Sequence, residues 1–252
     1  MAPGRRAVVL VAMVALAAIV EAGWLAPATL LDARIARATG QSVRLADAEG
    51  TVWHGRATVV LTAARMPVAW EVDAWPLLQG VMRVRLRSDT GARMPRATIA
   101  VRSNGVALRD VDVTIPAEVL AAYLGHPAGS VAGDVSAVAD DLELTPGSGR
   151  GVVRLVWRGA RLANVLGAAP VDLGTVRSAA TAGGDAIAGA LANEGGDLAL
   201  VGDWKMHAND GLALALRLTP RRADQTELKA ALSAIGTADG DGWRVDWRVP
   251  LR

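Results

Sequence analysis

The chain has 252 residues and a nearly balanced charge, with 27 Lys and Arg against 25 Asp and Glu. Acidic residues are interspersed with the arginines, so the sequence shows no basic surface of the kind that binds nucleic acid, and we expect no nucleic-acid partner. The chain has no cysteine, which excludes disulfides, thiolate metal sites and thiol nucleophiles.

An apolar run near the N-terminus predicts a membrane anchor. Two arginines precede the run, which extends over residues 7–25 with one interruption at Glu21. This length just reaches the roughly 20 residues of a membrane span, and the arginines orient the N-terminus toward the cytoplasm. We therefore expect a cytoplasmic stub over residues 1–6, an anchor over residues 7–25 and export of the rest. A cleaved signal peptide is the alternative, because Val20-Glu21-Ala22 is a passable cleavage site.

Residues 26–41 follow the apolar run and predict a tether or a short amphipathic helix. Leu30, Leu31 and Ile35 would share one side of this helix, and Gly40 would end it. Residues 42–252 then form what we interpret as an exported β-domain.

Alternation of apolar and polar residues with a period of two dominates this domain. Met82, Val84 and Leu86, for example, face one way, while the arginines between them face the other. The same alternation recurs over residues 96–102, 110–115, 197–206, 212–218 and 243–249. Turn signals separate the runs, and Asn104-Gly105 and Asp210-Gly211 are typical of two-residue hairpins. The pattern predicts a mainly β fold, with curved antiparallel sheet that is solvated on one face.

The stretch from Glu49 to Ala57 joins two of the alternating runs. In it, Gly50 and Gly55 bracket a Thr-Val-Trp core. Because glycine permits positive φ and close approach of another backbone, this bracket predicts a bend or bulge in a strand. Trp53 would then be a large apolar anchor whose N–H needs a hydrogen-bond partner.

Two short helices are predicted among the strands. Residues 116–124 place apolar side chains at helical spacing, with the proline in the first turn. Residues 224–235 carry a stronger signal, because Asp224 and Glu227 resemble a capping box. Gly236 lies at the C-terminal cap of this second helix.

The two helical segments have similar surroundings. Each follows a strand that ends in Thr and Pro, and each leads into a Gly-Asp pair, Gly133-Asp134 or Gly240-Asp241. This similarity favours two β-meander halves, residues 42–145 and 146–252, although chance similarity within one β-domain is the alternative. Between the helices, residues 165–196 are rich in Ala and Gly and predict a long loop.

No set of residues assembles a reactive centre. The histidines are His54, His126 and His207. Their spacing is not that of metal ligands, and we expect no metal and no cofactor. Asp140, Asp141 and Glu143 lack cationic or aromatic neighbours in the sequence and are typical of a solvated edge. The glycine-rich residues 147–151 precede a strand and lack the Lys-Ser/Thr of a phosphate loop, so we expect no enzymatic activity.

Eight tryptophans supply nearly all of the aromatic bulk, since the chain has no Phe and one Tyr. Five of them fall among the apolar positions of predicted strands: Trp70, Trp157, Trp204, Trp243 and Trp247. Packing in the core is the simplest interpretation. The alternative is an apolar groove or sheet face that binds an acyl chain or a partner protein.

The order of these segments resembles the type II secretion system protein N family. Residues 50–57, Gly-Thr-Val-Trp-His-Gly-Arg-Ala, are similar to the family signature Gly-Thr-x-Trp-x-Gly-x-Ala. Further similar segments follow in family order over residues 70–80, 151–162, 200–204, 218–220 and 232–236. The resemblance implies fold-defining rather than ligand-binding roles for Gly50, Trp53, Gly55, Ala57, Trp70, Trp157, Trp204 and Gly236.

The resemblance also implies a non-enzymatic part of the secretion apparatus of Gram-negative bacteria. It implies a single-pass inner-membrane protein with a cytoplasmic N-terminus and a periplasmic β-domain. This domain would contact other subunits, in the inner-membrane platform or the outer-membrane secretin, during export of folded proteins across the outer membrane. A periplasmic module that binds lipid or another hydrophobic ligand, anchored to the inner membrane, is the alternative function.

Overall fold

The computed structural model describes residues 26–38, 41, 43–61, 64–88, 96–123, 130–163, 170–207 and 211–249. The predicted stub and anchor lie outside these residues, as does His126. Among the helices of the described ranges, none combines the length and the apolar character needed to cross a membrane.

One antiparallel sheet contains every described strand. The strands are β1 (Val43–Gly50), β2 (His54–Leu61), β3 (Ala64–Asp73), β4 (Met82–Arg87), β5 (Arg96–Arg102), β6 (Gly105–Pro116), β7 (Val131–Thr145), β8 (Ser148–Leu162), β9 (Val171–Gly184), β10 (Ala186–Glu194), β11 (Leu198–His207), β12 (Gly211–Pro220), β13 (Thr237–Asp239) and β14 (Gly242–Val249). The helices are α1 (Thr29–Ala38), the 3₁₀ helix η1 (Trp75–Gln79), α2 (Ala117–Tyr123) and α3 (Thr226–Ile235). The curved sheet follows chain order, except that β14 lies between β12 and β13. The predicted mainly β, antiparallel architecture is confirmed.

Alternation along the strands gives the sheet an apolar face, which we call the inner face, and a polar outer face. Successive residues of a strand point to opposite sides of a sheet. The register places apolar residues opposite apolar residues and charged residues opposite charged residues. On the inner face, Leu200 of β11 is opposite Leu218 of β12, which is opposite Trp243 of β14. On the outer face, Arg217 is opposite Arg244. The fold thus separates apolar from charged positions as the sequence pattern predicts.

Helix α3 covers one part of the inner face. Leu228 and Leu232 are buried in a cluster that also contains Leu200, Leu218 and Val245. Complete burial of one leucine side chain stabilises the fold by roughly 2 kcal/mol, so this helix is a substantial part of the core.

The ends of α3 differ from the prediction. Gln225 is the N-cap and makes no side-chain capping bond, so the predicted capping box of Asp224 and Glu227 is wrong. Asp224 contributes its carbonyl oxygen instead, which accepts from the Thr226 N–H at 2.8 Å. Gly236 is the C-terminal cap, as predicted, and its N–H donates to the Leu232 carbonyl at 2.9 Å.

Helix α1 covers the edge of the sheet at β1, so the predicted segment over residues 26–41 contains a helix. The Asp32 carboxylate accepts from the Leu45 N–H at 2.8 Å and from the Arg44 guanidinium at 2.7 Å. The Arg44 hydrogen bond lowers the pKa of Asp32 to about 2. Just before the helix, the Ala28 N–H donates to the Gly50 carbonyl at 3.0 Å. Such cover hinders pairing of this edge with another strand.

The long loop predicted for residues 165–196 is wrong, because β9 and β10 occupy most of that stretch. Alanine lies on both faces of these strands. Ala180 and Ala182 are buried on the inner face, whereas Ala188 and Ala190 are exposed on the outer face. Hydropathy therefore does not alternate, although side-chain direction does.

The surroundings of the two predicted helices are only partly alike in the structure. Both predicted helices follow a strand that ends in proline, although α2 begins after Pro116. Gly133-Asp134, however, lies in β7 at a bulge, whereas Gly240 and Asp241 form the turn between β13 and β14. The proposed boundary at residue 145 falls in the β7–β8 turn, in the middle of the sheet. The division into halves stays a prediction.

Candidate docking surface

The stretch from Gly50 to Gly55 is the turn between β1 and β2. It is therefore not the bend within a strand that the sequence predicted. Gly50 has a φ of 91° and pairs with Gly55 across the hairpin. A Cβ at Gly50 would lie 2.5 Å from the His54 carbonyl oxygen, so this turn requires glycine. The bulge of the hairpin lies earlier, between Ala46 and Glu49.

This turn is fixed to neighbouring elements by backbone hydrogen bonds. The Val52 N–H donates to the Ala26 carbonyl at 2.9 Å, and the Val72 N–H of β3 donates to the Trp53 carbonyl at 2.6 Å. The residue Trp53 is half-buried. The role of its ring as an apolar anchor stays a prediction.

Trp70 packs against the same turn on the inner face. A Cβ at Gly55 would lie 2.5 Å from Trp70 Cζ2, so glycine permits this close approach. The residue is 8% exposed and forms a buried cluster with Ala28 and Ala57. Its Nε1 has no hydrogen-bond acceptor among the described residues. Gly50, Gly55, Ala57 and Trp70, four of the predicted signature residues, therefore meet at one place in the fold.

An exposed apolar protrusion follows β3, and we define it as residues 75–78 of η1. Trp75 is 78% exposed and Leu78 is 79% exposed, and no residue of η1 is buried. The Gly80 N–H donates to the Leu77 carbonyl at 3.0 Å and closes the helix. Large apolar side chains exposed together on a hydrogen-bonded turn are typical of a protein-docking site.

The outer face of β1–β4 carries a row of ion pairs below the protrusion. Arg85 binds Glu71 at 2.9 Å and Asp73 at 2.7 Å, and Arg56 binds Glu49 at 2.6 Å. A cavity of about 470 Å³ lies along this row. The side chains of Arg56 and Glu49 are largely exposed, so this pair contributes at most about 1 kcal/mol to stability, whereas the pair of Arg85 and Asp73 is partly buried. Their main effect is to make this surface polar, next to an apolar protrusion.

Trp53 lies in the Gly50 turn itself, whereas the other signature residues lie farther along the sheet, separated from that turn by the intervening strands. Trp157 of β8 donates through Nε1 to the Ala132 carbonyl at 3.0 Å. Trp204 of β11 donates through Nε1 to the Ser178 hydroxyl at 2.7 Å. Gly236 ends α3. The structure therefore brings together only part of the signature, at the Gly50 turn, and the fold-defining role of the signature stays a prediction.

The tryptophans do not all behave as core residues. Trp157 and Trp243 pack against the α3 cluster, in agreement with the prediction. Trp247 is 43% exposed, so its predicted core position is wrong. It lies on β14, where the sheet ends in the short strand β13.

Among the described residues, no group of three or more His, Asp and Glu side chains could hold a metal ion. His54 lies on β2 and His207 on β11, so the two described histidines belong to distant strands. The glycine-rich residues 147–151 were predicted to precede a strand, but residues 148–151 lie within β8 and only Gly147 belongs to the turn before it.

The carboxylates of β7 do have cationic neighbours, contrary to the prediction. Asp140 lies 3.7 Å from Arg154 of β8, and Asp141 lies 3.4 Å from Arg109 of β6. Both carboxylates are solvated, as predicted, but β7 is in the interior of the sheet, so their predicted location at an edge is wrong. These residues form exposed cross-strand ion pairs, an arrangement that the register creates.

Sequence reasoning missed two features of this surface. The protrusion had a usable signal, since Trp75-Pro76-Leu77-Leu78 interrupts the alternation between two strands. The contact between Asp32 and Leu45 had none, because it joins a helix and a strand that meet only in the folded chain.

Comparison with known protein families gives a match over most of the chain. The family model described as Type II secretion system (T2SS), protein N, matches residues 41–245. The matched range contains the Gly50–Gly55 turn, the protrusion and most of the described sheet. No curated protein and no solved structure matches the chain.

Proposed function

Because the chain belongs to the type II secretion system protein N family, we propose that it is a non-enzymatic docking subunit of the secretion apparatus. In this proposal residues 7–25 anchor the chain in the inner membrane of a Gram-negative cell, with the N-terminus in the cytoplasm. The β-domain lies in the periplasm. There it binds other inner-membrane subunits while folded proteins are exported across the outer membrane.

The observation that carries the proposal is the exposed protrusion. Trp75, Leu77 and Leu78 leave a large apolar area in water, and its burial against a partner would favour binding. Tryptophan in particular is enriched among the residues that dominate binding energy at protein interfaces. The ion-paired outer face beside the protrusion would form the polar rim of such an interface.

The test is recovery of other secretion subunits with the tagged, full-length chain from membranes that contain the whole apparatus. Replacing a hot-spot tryptophan typically costs about 2 kcal/mol or more, so Trp75→Ala should lower recovery by at least about tenfold. Val201→Ala is the matched control, because Val201 is also an exposed apolar residue but lies on β11. Unchanged recovery with Trp75→Ala would contradict docking through the protrusion.

A second candidate function, binding of a lipid or another hydrophobic ligand, has its own observation. The inner face continues beyond the helices that cover it, and Trp204, Met206 and Leu214 are only half-buried there. An acyl chain could lie along such a face.

A photoactivatable phospholipid, added to membranes that contain the full-length chain, distinguishes the two functions. Lipid binding predicts labelling of peptides from β11 and β12, and it predicts that Leu214→Asp lowers this labelling. Labelling that is unchanged in Leu214→Asp would count against this candidate and leave docking as the function.

A further inference from the structure

Among the described residues, the strands cover the edge of the sheet at β14 over only part of its length. Strand β13 pairs with residues 242–244 of β14, and this pairing goes no further. Beyond residue 244, β14 extends past the end of β13, with β12 as its neighbouring strand. An exposed sheet edge of this kind can pair with a strand of another chain.

The backbone groups that face the uncovered edge belong to Asp246 and Arg248. Asp239 and Gly242 flank a two-residue turn, and residues in that position exchange both of their backbone hydrogen bonds. Gly242 therefore directs its N–H and C=O toward β13, and every second residue of β14 points the same way. At positions 246 and 248, no described strand lies on that side.

The edge sequence is complementary to itself. We align Val245-Asp246-Trp247-Arg248-Val249 with a second copy that runs in the opposite direction, centred on Trp247. Asp246 of each copy then lies opposite Arg248 of the other, at the positions whose backbone groups face the edge. The two Trp247 positions meet at the non-hydrogen-bonded pair, where side chains approach most closely.

The charges at this edge are available for such pairing. Arg248 has no carboxylate partner among the described residues. Asp246 contacts Arg244 at 3.3 Å, and both side chains are well exposed. An exposed ion pair of this kind contributes at most about 1 kcal/mol, so replacing Arg244 by Arg248 of a second copy costs little. Burial of the exposed Trp247 side chain would add to the attraction.

We propose that two copies of the chain pair through β14, in antiparallel register centred on Trp247, to form one continuous sheet. The length of the uncovered segment fits a second copy. At one end β13 occupies the edge up to residue 244, and at the other end Pro250 has no N–H to donate to a ladder. The proposal concerns a different surface from the protrusion, so either can fail without the other.

Single cysteines test the register directly, because the chain has no cysteine of its own. In native membranes, oxidation of full-length Trp247→Cys should give a disulfide-linked dimer as the main product. The two Cα atoms would lie about 4.5 Å apart, within the range that a disulfide spans. Arg244→Cys, on the same strand, is the matched control: the two copies of residue 244 would be separated by six residues, or about 20 Å, and should give no dimer.

Each other outcome of the crosslinking experiment contradicts the proposal. Equal dimer yields from Arg244→Cys and Trp247→Cys would overturn the antiparallel register. Adducts of Trp247→Cys with a different subunit, and none with itself, would show that another protein occupies this edge. Absence of any adduct would contradict pairing through β14.

Charge reversal tests the same register with Trp247 in place. In the detergent-solubilised, full-length chain, Asp246→Arg or Arg248→Asp alone should weaken dimerisation about tenfold, because two attractive pairs become repulsive. The double variant, which exchanges the two charges, should restore the dimer measured by sedimentation. A double variant as weak as the single variants would overturn the pairing of residue 246 with residue 248.

Discussion

The two edges of the sheet differ in how their backbone groups are covered. At β1, helix α1 contributes the Asp32 carboxylate, and the residue before the helix, Ala28, contributes its N–H. At β14, the three residues of β13 cover the start of the strand and leave Asp246 and Arg248 at the edge. A sheet edge favours association with other strands. The difference therefore directs association to one side of the molecule, while the other side is closed.

Removal of Leu232 should produce the largest change, on the β14 side. Leu232 is 0% exposed between α3 and the inner face, so Leu232→Ala should lower the free energy of unfolding by about 2–5 kcal/mol. Ile235→Ala, on the same helix but exposed, should change it by no more than about 0.5 kcal/mol. Denaturant unfolding of the full-length chain measures both, and equal effects would show that α3 does not hold this side of the sheet.

On the β1 side, Gly55→Ala should be strongly destabilising for so small a change. The new Cβ would lie 2.5 Å from Trp70 Cζ2 and 2.5 Å from the Glu49 carbonyl oxygen. Forcing the backbone and the ring apart typically costs about 1–3 kcal/mol. Gly183→Ala is the control, since nothing lies within 4 Å of the added atom. A thermal midpoint that is unchanged in Gly55→Ala would rule out the tight contact between the turn and Trp70.

Asp32 should control how well the β1 edge is closed. Asp32→Ala removes the acceptor of the Leu45 N–H, so the protection factor of that amide against hydrogen exchange should fall at neutral pH. Asp32→Asn keeps an oxygen acceptor and should retain more of the protection.

The pH dependence of this edge follows from the lowered pKa of Asp32. A carboxyl group whose pKa falls on folding stabilises the folded state fully above its unfolded value of about 4. This stabilisation is lost as the pH falls toward the folded pKa of about 2. In the wild-type chain, Leu45 protection should therefore decrease only in this acidic window, and a decrease near pH 7 would contradict the assignment.

The smallest effect is expected at the short strand β13. Arg217 donates to the Asp239 carbonyl at 2.9 Å and forms ion pairs with Asp239 and Asp241, and all of these side chains are exposed. Arg217→Ala should therefore cost less than about 1 kcal/mol in global stability. It should nevertheless raise hydrogen exchange in β13, whereas Arg154→Ala, at another exposed pair, should not.

Much of the fold could be predicted from the sequence. The features that could not be predicted were missed for physical reasons. The alternation of apolar and polar residues predicted most of the strands. The order of segments predicted the family, and the match to the family model confirms it. The strands β9 and β10 were missed because alanine on both faces removes the hydropathy signal. The exposure of Trp247 and the pairing of Asp140 and Asp141 depend on which strands are neighbours. The sequence pattern of a single strand does not contain that information.

Hydrogen exchange at two amides, measured as the full-length chain is diluted, tests the contrast between the edges most directly. The account predicts that Leu45 stays protected at every concentration, because α1 covers it within one chain. Asp246 should be protected only at concentrations where two copies pair through β14. Equal protection of both amides at all concentrations, or loss of Leu45 protection on dilution, would contradict the account.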